Sequence, residues 1–451
     1  MVNNITNQFI EELNTLSGSN FSESTIHQAK RCLLDYLGAT FAGSRMLKEK
    51  GGRLLESLGG DGVASCRVIG YKKSANLQNA AYLNGFCSHV AEMDDGYRFG
   101  AVHPGATVIS ALLPLAEKEK LNGDDLLRGI IVGYEAALRI SKTMQPALKN
   151  RGYHATGVCG TIGAAIGVSA AMRFSSKEMK DALSAATTGA TGILKVIRDG
   201  SQLKPLNAAQ AASSGLLAAL VAKAGFIGPE DVLGGDKGFL EIKAIEFNVS
   251  HLTKNKDAVP SIHEIYVKPY AACRHSHAAV EAILNIKASQ NLQVQDIKEI
   301  RVNTYNWAVH LHDHTDISGI NSAKMSTPYS VAIALTDNEA GIDQFTNEKI
   351  NDPNVIALTK KVKVFDNDEL TALVPNKRAA IVEVFTYNGQ FYNERVDLPK
   401  GEPENPISEK ELTEKFITLG TFGGKNKNEL QEIIQCVWEL EKGLDSLIKL
   451  L

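Results

Sequence analysis

Three stretches are built almost wholly from small residues: GTIGAAIGVSAAMRF (160–174), KEMKDALSAATTGATGIL (177–194) and LNAAQAASSGLLAALVAKAG (206–225). Side chains this small let helix backbones approach closely, so the stretches predict helices packed against one another in a dense, fully buried bundle. No apolar run approaches the ~18–20 residues of a membrane span, which puts the bundle in a water-soluble protein. A centre of this kind often doubles as a subunit interface, and a homodimer through the helical domain is expected.

Around this bundle, ITNQFIEELNTL and SESTIHQAKRCLLDYLGATFAG carry apolar residues at helical spacing, with Ser22 as a start signal. The texture changes near residue 260. IHEIYVKPY, DIKEIRVNTYNWAVHLHD, KKVKVFDND and AAIVEVFTYNGQFYNERVDLP are rich in Val, Ile, Tyr and Thr and read as strands, with an Asn-Gly hairpin turn in the last. HSHAAVEAILNIKAS and TPYSVAIALTD interrupt them as helices, KGEPENP reads as a linker, and the chain closes in amphipathic helix. With 451 residues, more than one compact core usually serves, the chain predicts a mainly α protein. Residues 1–266 begin a large all-helical domain, 267–400 form an inserted smaller α+β lid domain, and 401–451 complete the helical domain.

A net charge of −3 argues against nucleic acid or an anionic membrane surface as partner. The six cysteines are scattered with no CxxC spacing, which fits reduced thiols in the cytoplasm. The N-terminus carries no signal-peptide pattern. No GxGxxG after a strand and no Walker loop occurs, so no nucleotide cofactor is expected.

The charge that chemistry needs is concentrated in a few places. AEMDDGYRFGAVHPGA (91–106) sets Glu92, Asp94 and Asp95 ahead of Arg98 and His103-Pro104-Gly105. An acid of this group is also a natural cap for a helix starting near Thr107. Pro and Gly fix a turn that holds the imidazole at a helix entrance, a suitable place for proton transfer. RGYHATGVCGTIGAA places Tyr153 and His154 at a second entrance, and SQLKPLNAAQAASSG opens a third helix with Lys204-Pro205. VKPYAACRHSHAAVEA gathers Lys268, Arg274, His275 and His277 where the two textures meet. His310-Leu311-His312-Asp313-His314 would bring three imidazoles to one face of a strand, but with no further ligand in sight it reads as a histidine-rich strand end or loop, and no metal is expected.

Together and in this order, the DD…HPG, GYHATGVCGTIGAA, LKPLNAAQAASSG, PEDVLGGDKGF and KPYAACRHSH segments resemble the MmgE/PrpD family over essentially the whole chain. The resemblance implies a helical domain with a discontinuous α+β lid, commonly dimeric. It also implies metal-free chemistry on a small polycarboxylate: 2-methylcitrate dehydration, cis-aconitate decarboxylation or iminodisuccinate epimerisation. Carried over, the family pocket falls on Asp94, His103, His154, Lys204 and Lys268 as catalytic groups. Glu92, Asp95, Tyr153, Arg274 and His277 are expected to bind substrate. Glu92, Gly96 and Cys273 depart from the decarboxylase pattern, which has Asp and Thr at the first two positions and, in animals, His at the third. Dehydration of 2-methylcitrate or a citrate-like acid is the first expectation, with His103 and His154 as base and acid in either order. The non-enzymatic alternative is a helical small-ligand-binding dimer that has lost catalysis.

Overall fold

The computed structural model describes residues 4–58, 66–197, 201–253, 258–290 and 292–451. Helices dominate it. The first compact unit comprises Met1–Lys195, Lys204–Ile265 and Glu409–Leu451, and the second comprises Val196–Leu203 and Tyr266–Ser408.

The first unit opens with α1 (Ile5–Gly18) and the long α2 (Glu23–Met46), each started by a side chain accepting from an otherwise unpaired backbone N–H: Asn4 for α1 and Ser22 for α2. A short α3 (Lys48–Ser57) and a two-stranded ladder of β1 (Cys66–Arg67) and β2 (Ser74–Ala75) lead into α4 (Leu77–Val90). Then follow α5 (Gly105–Glu119), α6 (Gly123–Met144), α7 (Ala147–Asn150), α8 (Ala155–Ala171), α9 (Ser176–Gly189), α10 (Lys204–Lys223) and α11 (Phe239–Ala244). The small-residue stretches sit at the centre: α8 packs against α6 and α10, and α10 packs against α4 and α9. Every residue of α8 is buried. The reason for the small residues is visible at the α6–α8 crossing. A Cβ on Gly133 would stand 2.8 Å from the Gly163 carbonyl oxygen, and one on Gly163 would stand 2.6 Å from Ala137 Cβ. Backbone meets backbone there, and any larger side chain would force the helices apart.

The second unit holds α12 (His277–Gln290), β3 (Ile297–Thr304), α13 (Asn306–Val309), α14 (Ile320–Met325), α15 (Thr327–Asp337), α16 (Asn347–Ile350), α17 (Pro353–Thr359), β4 (Val362–Asp366), α18 (Asp368–Ala372), β5 (Ala380–Thr386) and β6 (Phe391–Val396). Its sheet has the order β4-β3-β5-β6, with β3 parallel to β4 and the other pairs antiparallel. Along β5 every second residue is buried, and α12 packs against β5 and β6. The hairpin at Asn388-Gly389 joins β5 to β6, with Gly389 at φ 87°. One expected strand does not form among the described residues. IHEIYVKPY starts as a 3-10 turn over Ser261–Glu264 after Pro260 and goes no further toward a strand than a single bridge residue, Tyr266. The His310–His314 segment follows α13 as turn and loop, the second of the two forms expected for it. In IHEIYVKPY, β-branched and aromatic composition suggested extension, but no neighbouring ladder holds it. The chain then returns to the first unit as α19 (Glu409–Phe422), α20 (Lys427–Trp438) and α21 (Leu444–Leu450), with α19 packed on α2. Among the described residues no helix is long and apolar enough to cross a membrane.

Candidate functional site

The acidic segment 91–106 lies in the first unit, buried between α4 and α5. Glu92, Asp94, Asp95 and Arg98 are all buried, and the Arg98 guanidinium lies over the Phe99 ring at 4.7 Å. A bridge between Tyr97 and Val102 folds the middle of the segment back on itself. That hairpin-like return delivers His103 to the start of α5.

Asp95 holds the segment together. One of its carboxylate oxygens accepts from the Gly105 N–H at 3.1 Å, so it caps α5 from ten residues away. The other accepts from the Tyr134 hydroxyl of α6 at 2.7 Å. α5 begins at Gly105, two residues earlier than the sequence suggested, because this acid supplies the cap. Burial raises the Asp95 pKa to about 8, with the nearby Asp35 and Asp94 pushing the same way and Tyr134 and Gly105 opposing. Near neutral pH this carboxyl is largely protonated.

Around Asp94 three imidazoles gather. His89 Nδ1 lies 2.6 Å from Asp94 Oδ2, and His103 Nδ1 lies 3.3 Å from the same oxygen. His103 Nδ1 is also 2.6 Å from the Asp95 carbonyl oxygen. A carbonyl can only accept, so Nδ1 of His103 carries the hydrogen and Nε2 presents the lone pair. The His89 ring is 4.9 Å from that of His103 and 5.9 Å from that of His154, centroid to centroid. His103 N–H donates to the Thr156 hydroxyl at 3.2 Å, which ties the acidic segment to the entrance of α8.

His154 stands as the residue before α8 and is buried. Asn207 of α10 donates to its Nδ1 at 3.0 Å, so here Nε2 carries the hydrogen, the opposite tautomer to His103. Burial pushes the His154 pKa well below its ordinary value; His89, Lys204 and His103 add to the effect and Glu92 opposes it. This imidazole is neutral at physiological pH. At the mouth of α10, Lys204 pairs with Glu92, whose backbone sits in the left-handed region at φ 56°. That conformation costs a non-glycine residue about 1 kcal/mol or more, and it turns the carboxylate toward the lysine.

The expected site residues therefore fall into separate groups. Glu92, Asp94, Asp95, His103, His154 and Lys204 come together in the first unit. Tyr153 precedes His154, but its ring stands against the Lys243 ammonium at 4.8 Å and the Arg151 guanidinium at 5.8 Å. Lys268, Arg274 and His277 belong to the second unit, and all three are buried. Arg274 is spent on structure: it pairs with buried Glu402 at 2.8 Å and donates to the Pro399 and Lys400 carbonyl oxygens at 3.1 Å. It also donates to His277 Nδ1 at 2.9 Å, and His277 Nε2 donates to the Ala272 carbonyl oxygen at 3.1 Å. Both nitrogens of His277 are engaged within the unit. Residues absent from the sequence expectation are His89, Tyr134 and Asn207. Of these only Asn207 left a trace, since it follows Lys204 by three residues and so shares its helix face.

An aspartate shared by two imidazoles, a third imidazole of the other tautomer and a lysine–glutamate pair form a set suited to moving protons beside a carboxylate. Comparison with known proteins agrees in kind. The MmgE/PrpD N-terminal domain model matches residues 7–251 and the C-terminal domain model residues 270–440. A cis-aconitate decarboxylase of Aspergillus terreus is 26% identical, covering 98% of this chain and 94% of that protein. The human cis-aconitate decarboxylase is also 26% identical, over 92% of this chain and 88% of its own length. With the N-terminal model alone matching more than half of its residues, the chain belongs to the MmgE/PrpD family.

Proposed function

We propose that the protein is a lyase that dehydrates 2-methylcitrate or a citrate-like polycarboxylate by histidine acid–base chemistry. The observation that carries this reading is the opposed tautomers of His103 and His154. His103 Nε2 takes the proton from the carbon beside a substrate carboxylate, and Asp94 at 3.3 Å stabilises the imidazolium that results. His154, kept neutral by burial, stabilises the developing enediolate with a hydrogen bond from its Nε2–H, without giving up the proton, and Lys204 supplies positive charge. The carbon–oxygen bond breaks, the hydroxyl leaves with the proton held on His103, and the step returns water, alkene and neutral His103. A homodimer belongs to the same reading. Phe226, Ile227, Ile242 and Ile245 of the first unit are each more than half exposed, apolar side chains that a second copy would cover.

Cis-aconitate decarboxylation is the second reading, favoured by the relatives that carry that name. It breaks a carbon–carbon bond and needs one proton donor. Incubation with 2-methylcitrate, citrate, cis-aconitate and iminodisuccinate, followed by NMR, separates the two. Loss of water from a citrate-like acid supports dehydration, release of carbon dioxide from cis-aconitate supports the second reading, and turnover of neither overturns both. His103→Gln should cut kcat by roughly 10²–10⁴-fold, and an unimpaired variant would remove His103 from the reaction.

A further inference from the structure

The second unit brings Cys273 and His275, two residues apart, together with His312 from further along the chain. Cys273 Sγ, a ring nitrogen of His275 and a ring nitrogen of His312 all lie within 4.8 Å of one another. We propose that Cys273, His275 and His312 form a binding site for a soft divalent transition ion of the Zn²⁺ class, with a fourth position left for water or a ligand oxygen.

The geometry is close to what such an ion asks for. Bonds of about 2.3 Å to sulfur and 2.0–2.1 Å to nitrogen at tetrahedral angles set the ligand atoms roughly 3.3–3.6 Å apart. The observed separations exceed that by at most about 1.5 Å, within reach of side-chain rotation. The imidazoles are also held as ligands usually are, through the second nitrogen. His312 Nδ1 lies 2.8 Å from the Met325 carbonyl oxygen, which can only accept, so its Nε2 presents the lone pair. His275 Nδ1 lies 2.6 Å from the hydroxyl of buried Tyr305. The two imidazole rings stand 5.0 Å apart at 39°. Backbone bonds fix the loop, with the Cys273 N–H donating to the Lys324 carbonyl oxygen at 2.8 Å. Selectivity follows from the donor set: one thiol sulfur and two imidazole nitrogens favour an ion of the Zn²⁺ class over hard cations that prefer oxygen.

The test uses the full-length protein and the metals alone. Co²⁺ should produce a thiolate-to-metal charge-transfer band at one equivalent, and Zn²⁺ should displace it. Cys273→Ser should abolish the band, His312→Ala should weaken Zn²⁺ binding by more than about 100-fold, and Tyr305→Phe by about 10–100-fold. Cys436→Ser should leave binding unchanged. Thermal unfolding checks that each variant is folded. No thiolate band in the wild type, or a band that survives Cys273→Ser in a folded variant, overturns the proposal. Sulfur-free binding would assign the ion to the His89, Asp94 and His103 group instead and would equally overturn it.

Discussion

His103 and His154 sit before helices in adjacent parts of the chain, and each is pinned through Nδ1, yet to partners of opposite kind. A carbonyl oxygen holds one as a hydrogen-bond donor and an amide N–H holds the other as an acceptor. The protonation chemistry is thus set by which backbone or side-chain group lies behind each ring. Asp95 contributes the first of these partners through its own carbonyl, and its side chain carries a pH dependence of its own. The folded carboxyl titrates near 8 against an ordinary value of 3.8. Between about pH 4 and 8 the folded state binds more protons than the unfolded, so this group stabilises the fold at low pH and loses that contribution as pH rises through 8. Asp95→Asn keeps the shape and removes the titration. Denaturant midpoints at pH 5 and pH 8.5 should show the variant flatter than wild type and more stable at the higher pH, by up to about 1.4 kcal/mol for each pH unit. Equal pH dependence in both proteins would contradict the assignment. His103, His154 and Lys204 were legible as residues because prolines, glycines and helix starts mark them. His89 was not: it lies inside α4 among Ala, Leu and Ser, where nothing local separates a site histidine from a core one.

At the level of elements, the entrance to α5 couples packing to chemistry. Gly105 is its first residue, and a Cβ there would stand 2.7 Å from the Tyr134 hydroxyl and 2.9 Å from Asp95 Oδ1. Both atoms belong to buried, hydrogen-bonded side chains, so relief means breaking the bonds that position Asp95. Gly105→Ala should therefore lower kcat by about 10²-fold, while destabilisation stays near 1–3 kcal/mol. Steady-state kinetics alongside a melting curve would check the split, and wild-type turnover would show that the cap does not position His103. The helices themselves were legible from their small residues and start signals. Strands β3, β4, β5 and β6 were legible from alternation, but IHEIYVKPY misled, because Pro260 and a missing neighbour prevail over composition. The partner of Arg274 was equally hidden, because Glu402 lies 128 residues away.

On the scale of the whole molecule, the first unit is assembled from three separated lengths of chain, and its last length reaches the site. Lys415 of α19 pairs with buried Asp35 of α2 and donates to the Met93 carbonyl oxygen at 2.7 Å, within the acidic segment itself. A contact between residues 93 and 415 leaves no local sign in the sequence. A chain ending at residue 408 should retain helix by circular dichroism and yet be degraded by protease and lack turnover. Addition of the 409–451 peptide should restore resistance, and a truncated chain as resistant as the full one would refute the dependence.

This arrangement has a consequence for synthesis. At 5–20 residues per second, the 266–408 stretch separates the end of the second length of the first unit from the start of its last by roughly 7–30 s. For that interval α2 of the nascent chain lacks its α19 cover, and the acidic segment lacks its lysine. The small-residue helices α8 and α10 have all their main packing partners before residue 266 and can close on one another meanwhile, so the wait falls on α2 and the acidic segment rather than on the centre of the bundle.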